Sequence, residues 1–599
     1  DLPTINVTVS LPGASPAQLE TDVVRKIENA VATVQGLKHI TSKIQDGTAT
    51  STIEFRLEKP VQEALDDVRS AVSRVRADMP ADLRDPIVTK LDLAASPVLA
   101  FTIASDTLDD EALSWLVDDA LTRRLLTVKG VGQVTRVGGV SREITVALDP
   151  DRLLALGLSA ADVSRQLRQI QQESAGGRTD LGHAEQSIRT LGTVRTADEL
   201  AAIELTTADG RRLRLDQIAR VSDSVAERRA LALLDGKPVV GFEVTRSRGA
   251  SELDVGDGVR HVLDELLAQR PDLHVTEAFD FVEPVREEYD GSMALLYEGA
   301  LLAVVVVWLF LRDWRATFVS AVALPLSVIP AFIGMYLLDF SINVVTLLAL
   351  SLVVGILVDD AIVEVENIVR HLRMGKSPYQ AAMEAADEIG LAVVATTFTL
   401  IAVFLPTAFM SGIAGRFFKQ FGLTAVFAVF ASLVVARMLT PMMCAYLLKA
   451  ADDHVPRDGR VMRTYLRTAG WCLRHRILTT LGALAFFAAS IALVPLLPTG
   501  FIPPDDLSQT QVFIELPPGS TLDQTRDAAE HARRLIAGVE HVSSVYTTIG
   551  GGSAGADPFA LGGVGEVRKA TLTILLTPRT ERPERKQVIE SRIRDALAQ

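Results

Sequence analysis

The stretch VVGILVDDAIVEVENIV, residues 353–369, sets Asp359 beside Asp360 inside an apolar run of membrane-spanning length. Insertion scales charge roughly 2.5 to 3.5 kcal/mol for one Asp at the bilayer centre, so the pair costs about 5 to 7 kcal/mol before compensation. Neighbouring helix residues differ by about 100° in direction, which puts both acids on one broad face. Glu364 and Asn367 follow Asp360 along that face, while Ala361, Ile362, Val365, Ile368 and Val369 fill most of the rest. A helix polar on one side suits burial against other helices rather than lipid. There, desolvation and mutual repulsion make proton loading and release the expected chemistry. The alternative is a span that ends early and leaves the acids in headgroup water.

Other chemistries find less support. No GxxxxGK[ST] phosphate cradle occurs, and the MGKS at Met374 lacks the upstream glycine, which disfavours an ATP-driven machine. Cys444 and Cys472 are the only cysteines, with no CxxC or Cys/His grouping, so neither a disulfide framework nor a metal site is expected, and no cofactor. The formal charge of -14 without a long basic cluster excludes a nucleic-acid partner. Only Met79 precedes Met293 and none follows Met462, so a methionine relay for soft metals is missing. An intramembrane aspartyl protease needs carboxylates facing each other across two helices, which adjacent acids on one helix do not supply. Two further intramembrane charges stand out as accessory sites. Glu298 is either functional or interfacial, and Arg437 either snorkels to a basic side or acts as counter-ion to the Asp pair.

The elements that must position these residues follow from composition. Residues 1 to about 292 alternate short strand-like runs such as INVTVSL and TSTIEFRL with helical stretches such as PAQLETDVVRKIENAVATV, an α+β pattern. Six apolar runs then span about 294–311, 316–338, 341–363, 389–411, 421–447 and 477–497. From Pro498 the α+β character returns. Basic residues concentrate after the first span (Arg312, Arg315), the third (Arg370, Arg373, Lys376) and the fifth (Lys449 through Arg476), which places those loops in the cytoplasm. Arg416 and Lys419 after the fourth span are a mild contrary signal. An even number of spans puts both polar regions outside.

The second polar region echoes the first. VTVSLPGAS from Val7 matches VFIELPPGS from Val512, and GLKHITS from Gly36 matches GVEHVSS from Gly538, in the same order. The second copy follows an apolar span directly, so a span is expected before the first. The chain opens on Asp1 without a leader, and it is expected to be truncated at both ends, one half of an internally duplicated fold plus the opening of the next.

With these residues in view, SINVVTLLALSLVVGILVDDAIVEVENIV resembles the fourth transmembrane helix of resistance-nodulation-division efflux pumps, in the hydrophobe/amphiphile branch. LPTINVTVSLPGAS, VKGVGQV, FLRDWRAT and LTPMMCAYLL resemble other segments of that family, so the likeness covers essentially the whole chain. The resemblance implies an α-helical polytopic protein of the bacterial inner membrane with large α+β periplasmic domains built from ferredoxin-like βαβ porter subdomains. It implies a proton/substrate antiporter that is a homotrimer and exports hydrophobic or amphiphilic compounds through a periplasmic adaptor and an outer-membrane channel. Asp359 and Asp360 match the family's proton relay, whose Lys and hydroxyl or cationic partners belong to helices beyond this sequence. The implied divisions are porter material at 1–96 and 97–143, a docking subdomain at 144–235, porter return at 236–292, the membrane domain at 293–497 and the second-half porter start at 498–599.

At the family's phenylalanine-lined pocket this sequence carries Val137, Tyr546, Gly551, Ser553 and Leu572, one aromatic among five. That argues against a broad aromatic-drug range. It keeps open a narrower exporter of lipids or other amphiphiles. The run 547–567 matches the family's flexible loop, with Gly550, Gly551, Gly552 and Gly555 giving it freedom; an ordinary surface linker is the alternative.

Overall fold

A computed structural model describes residues 3–91, 96–170, 174–182, 184–190, 193–207, 209–449, 460–496, 506–552 and 565–598. The chain divides into two compact units, one made of residues 1–283 with 506–599 and the other of 284–505.

In the first unit, β1 (Thr4–Ser10), β2 (Leu37–Gln45), β3 (Thr48–Phe55) and β4 (Ile87–Lys90) form an antiparallel sheet in the order β2-β3-β1-β4. Every second residue of β1 is buried, Ile5, Val7 and Val9, as a half-covered strand requires. The helix Val61–Val75 lays Ala64, Leu65, Val68, Ala71 and Val72 against that face, the spacing of one helical stripe. The helical residues 16–31 start on a Ser15 cap whose Oγ accepts the Gln18 amide and add Leu19, Val23, Ile27 and Val31 to the same core.

A second, eight-stranded sheet begins with β5 (Pro97–Ser105) and β6 (Val131–Val137). An insertion follows, in which β7 (Arg142–Leu148) pairs with β12 (Ala219–Val225). It also holds the hairpin of β8 (Ser174–Leu181) and β9 (Ala184–Thr190) and the pair β10 (Glu204–Thr206) and β11 (Arg212–Arg214). Leu153, Leu158, Val163, Leu205, Leu215 and Ile218 give this insertion a core of its own. The large sheet resumes with β13 (Leu231–Leu234), β14 (Lys237–Arg246) and β15 (Leu273–Asp280), and ends with β16 (Gln509–Glu515), β17 (Val542–Ile549) and β18 (Lys569–Leu576). Its order is β15-β5-β14-β13-β17-β18-β16, with β6 also on β14.

The turn between β13 and β14 is Asp235-Gly236, both at positive φ (50° and 81°), the geometry of a tight hairpin that glycine tolerates without strain. The Asp235 carboxylate accepts the Val545 amide at 2.8 Å, tying that turn to β17 across 310 residues. The repeated segments noted above fall on equivalent elements: those from Val7 and Val512 run out of β1 and β16, and those from Gly36 and Gly538 lead into β2 and β17. The helix Glu252–Gln269 begins on Ser251, whose Oγ accepts the Asp254 amide. Replacing Ser251 by Ala should cost about 1 kcal/mol and raise hydrogen exchange in that first turn alone, with β14 and β15 unchanged.

Among the described residues the second unit holds six helices long and apolar enough to cross a membrane. They are α1 (Val282–Leu311), α2 (Trp314–Leu337), α3 (Val344–Arg373), α4 (Pro378–Phe404), α5 (Gly412–Val434) with its continuation α6 (Thr440–Leu447), and, after α7 (Arg460–Arg474), α8 (Arg476–Leu493). Asn343 caps α3 by accepting the Val345 and Thr346 amides, and Ser377 with Pro378 starts α4. Leu324, Val328 and Ala331 of α2, Leu350, Val353, Val354 and Leu357 of α3, and Ala425, Ala428 and Val429 of α5 share one core.

Three expectations change. The helices outrun the apolar runs: α1 starts at Val282, and α3 continues to Arg373 because its polar last turns keep their backbone bonds and a basic end suits a helix C-terminus. Arg416 and Lys419 lie within α5, at the start of the fifth span, rather than in a loop. The basic segment after the fifth span is not all loop, since its arginines recur on one face of α7, an amphipathic helix.

Candidate functional site

α3 carries Asp359 and Asp360 at mid-length, so the helix does not end early. Asp360 is half-buried, and its Oδ2 lies 3.1 Å from the Ser432 hydroxyl of α5, which also reaches the Leu357 carbonyl at 3.2 Å. Asp359 is exposed and makes no hydrogen bond or ion pair among the described residues. It sits on an open stripe with Leu348, Leu352, Val363 and Glu366. The two acids therefore have different surroundings on the one broad face.

Below Asp360 the face becomes a ladder. Glu364 has no exposed surface; its Oε2 lies 3.4 Å from Arg437 Nη1, and its Oε1 has no hydrogen-bond partner among the described residues. Arg437 stands in the π turn Val435–Leu439, and Nη1 donates to the Ala386 carbonyl of α4 at 2.7 Å. Gly390 makes room for this guanidinium, because a Cβ there would meet Nη2 at 2.5 Å. One turn further, Asn367 Nδ2 donates to the Ala385 carbonyl at 3.1 Å and reaches Glu388 at 3.4 Å. His371 Nε2 lies 2.7 Å from Glu388 Oε2, Arg370 pairs with the same carboxylate, and Lys376 engages Glu384 and the His371 ring.

Arg437 departs from the counter-ion alternative, since Glu364 and the Ala386 carbonyl rather than the aspartates hold its guanidinium, while its side chain keeps some exposed surface. Glu298 is exposed on α1 with no ion pair among the described residues. The spacing along α3 picks out Glu364 and Asn367. His371, one further turn along, is legible by the same rule and was missed. Ser432 and Glu388 lie on other helices, and an isolated hydroxyl or acid in an apolar run gives no sign of what it will face.

In the first unit the aligned pocket positions do not gather around an opening. Val137, Tyr546 and Leu572 are buried in the large sheet, Gly551 is half-buried, and Ser553 and Gly555 lie outside the described residues. Both faces of the sheet are covered here, since Val545–Ile549 of β17 and Leu572–Ile574 of β18 are buried without a break. The Tyr546 hydroxyl has no hydrogen-bond partner among the described residues, and burial with the nearby Glu243 charge pushes its phenol up. A cavity of about 610 Å³ opens nearby, lined by Lys43, Asp46, Arg229, Gly550, Glu566 and Arg568 among others, with no aromatic side chain on its described wall. Gly550 and Gly552 have φ of 67° and 86°, which β-carbon residues rarely adopt. Glu566 pairs with Lys43; burial alone would raise its carboxyl, yet Lys43, Lys569 and Arg568 hold it below the usual carboxylate range.

Six membrane-competent helices among the described residues, with buried charges, followed and preceded by sheet-rich polar sequence, fit a polytopic membrane protein. The chain matches the AcrB/AcrD/AcrF family over residues 1–599 and belongs to that family of resistance-nodulation-division multidrug efflux transporters. Its relatives include the multidrug resistance protein MdtC of Pantoea ananatis, 31% identical over 611 residues, and that of Pectobacterium atrosepticum, 30% identical over 608. Each alignment covers 100% of this chain and 58% of the relative, so the chain spans little more than half the length of these relatives.

Proposed function

We propose that this chain is part of a proton-driven antiporter of the bacterial inner membrane that exports hydrophobic or amphiphilic compounds. Asp359 and Asp360 bind and release the driving protons. The observation that carries this reading is the pair's position midway along α3, one acid held by Ser432 and the other open on the helix face. A carboxylate couple split in this way offers one packed and one open site between which a proton can pass. Partners from the remainder of the full-length protein, a cation among them, cover the open stripe. Protonation switches the attraction between that cation and the acids, and the resulting helix shift drives the polar domains.

In this reading residues 1–96, 97–143, 236–292 and 498–599 are ferredoxin-like porter material and 144–235 a docking subdomain. The order β2-β3-β1-β4, repeated as β6-β14-β5-β15 and begun again as β17-β18-β16, supports it. The matching elements at Val7 and Val512 support internal duplication. The pump works as a homotrimer with a periplasmic adaptor and an outer-membrane channel. A narrower range of lipid-like or other amphiphiles is the second reading, favoured by the polar, aromatic-free cavity wall.

Expression of the full-length gene in a host lacking its own pumps tests the main reading. Efflux of an amphiphilic dye should stop when a protonophore collapses the gradient. Efflux that persists without a gradient rules out antiport.

A further inference from the structure

Asp360 finds its partner in Ser432, yet the polar face of α3 runs on for three more turns past a buried carboxylate that the proposed relay does not use. Glu364 has no solvent contact, and one of its two oxygens has no partner among the described residues. Its neighbour Arg437 is committed mainly to the Ala386 carbonyl at 2.7 Å and reaches Glu364 only at 3.4 Å, the outer edge of a hydrogen bond. An ionised carboxylate so sparsely compensated in a dry bundle is costly to keep charged throughout a cycle. The charged and titratable groups around it are few. Asp360 lies one turn up the same helix, Arg437 and the buried Cys444 come from the chain after α5, and Glu388 comes from α4. α5 adds the Ser432 hydroxyl, and α2 presents Ser320 and Ser327, whose hydroxyls are spent on its own carbonyls.

We propose that Glu364 is a further proton-carrying carboxylate beyond the Asp359–Asp360 pair, placed between Asp360 and the end of α3 where His371 meets Glu388, with Arg437 as its positioning residue. The proposal rests on the antiport reading of Asp359 and Asp360. A proton leaves the Asp360 acid for the Glu364 carboxylate, so Asp360 becomes ionised and Glu364 neutral. Glu364 then gives it up toward Glu388 and His371 and returns to the carboxylate beside Arg437. Side chains one turn apart on a helix stand about 6 Å apart, a gap that one water or one rotamer change closes. At the far end the buried His371 ring touches both Glu388, which is half-exposed, and Lys376, a path on toward the helix end.

The full-length protein in proteoliposomes with an imposed pH gradient decides the matter. Glu364→Gln should cut gradient-driven transport by about a hundredfold, the scale of a positioned proton carrier. The double variant Glu364→Gln with Arg437→Met removes the unpaired cation and should regain the parental unfolding temperature without regaining transport. Glu364→Asp should restore transport with a displaced pH profile. Parental transport by the folded double variant overturns the proposal, because Glu364 is then only half of a structural ion pair. Asp360→Asn in the same vesicles separates the two levels. If it too transports normally, the antiport reading itself falls; if it fails while the double variant works, only the role of Glu364 is lost.

Discussion

Asp360→Asn and Asp359→Asn, each in the full-length pump, should abolish accumulation against a gradient while leaving a folded protein. One proton moving down 100 mV supplies about 2.3 kcal/mol. At about 1.4 kcal/mol per factor of ten, that sustains a roughly 50-fold substrate gradient. A variant that carries no proton sustains none, so host resistance should fall to that of cells without the pump. The replacement is close to isosteric. The amide introduced at position 360 keeps a side-chain oxygen for the Ser432 hydroxyl, so the contact at 3.1 Å survives and the bundle should keep its unfolding temperature. Dye accumulation measured beside thermal unfolding separates a coupling defect from a folding one. Retention of most of the gradient by both variants would end the case for these acids as proton carriers.

The second large effect concerns stability and lies in the first unit. The Arg582 side chain has no exposed surface. Its Nη2 donates to the Asp506 carboxylate at 2.8 Å and to the Asp506 and Leu507 carbonyls at 3.2 Å, and its Nη1 donates to the Glu584 carbonyl at 2.8 Å. Arg582→Met leaves three backbone carbonyls without this donor and the Asp506 carboxylate with only the Lys586 amide and Arg579, a loss of about 2 to 3 kcal/mol. Arg582→Lys should recover little, since one ammonium cannot span positions that a planar fork reaches together. Hydrogen exchange in β16, β17 and β18 should rise in both variants, with the sheet β1–β4 unaffected; parental protection in β18 would contradict this.

The Asp506 carboxyl is held below the usual carboxylate range by the Lys586 amide and by Arg582. A carboxyl depressed in the folded state contributes stability that is complete above its ordinary value, near 4, and lost as pH falls through the lower folded value. Protection of β18 should therefore hold from neutrality to about pH 4 and decline below it.

The strands of the first sheet, the six spans, the acid pair and the face it shares with Glu364 and Asn367 can all be read from local periodicity. A period of two or of 3.6 is written into neighbouring residues. What escapes depends on residues far apart in the chain. Glu364 meets Arg437 only because a π turn swings that guanidinium toward α4 and Gly390 leaves a gap for it. Alignment puts Tyr546 and Leu572 at a pocket, whereas the large sheet is covered on both faces there and buries both. The basic segment before the last span reads as a loop when positive charge is weighed for orientation ahead of its helical spacing.

The contact between Asp235 and Val545 has a temporal consequence for synthesis. At about 5 to 20 residues per second, the ribosome needs roughly 15 to 60 s to travel from one to the other. Throughout that interval β13 and its hairpin offer unsatisfied backbone groups to whatever strand arrives first. All six spans must be inserted in the meantime. A newborn chain is therefore exposed to mispairing with its siblings on a polysome, and slowing elongation across the membrane segments should raise the yield of aggregated protein more than slowing it anywhere after β17.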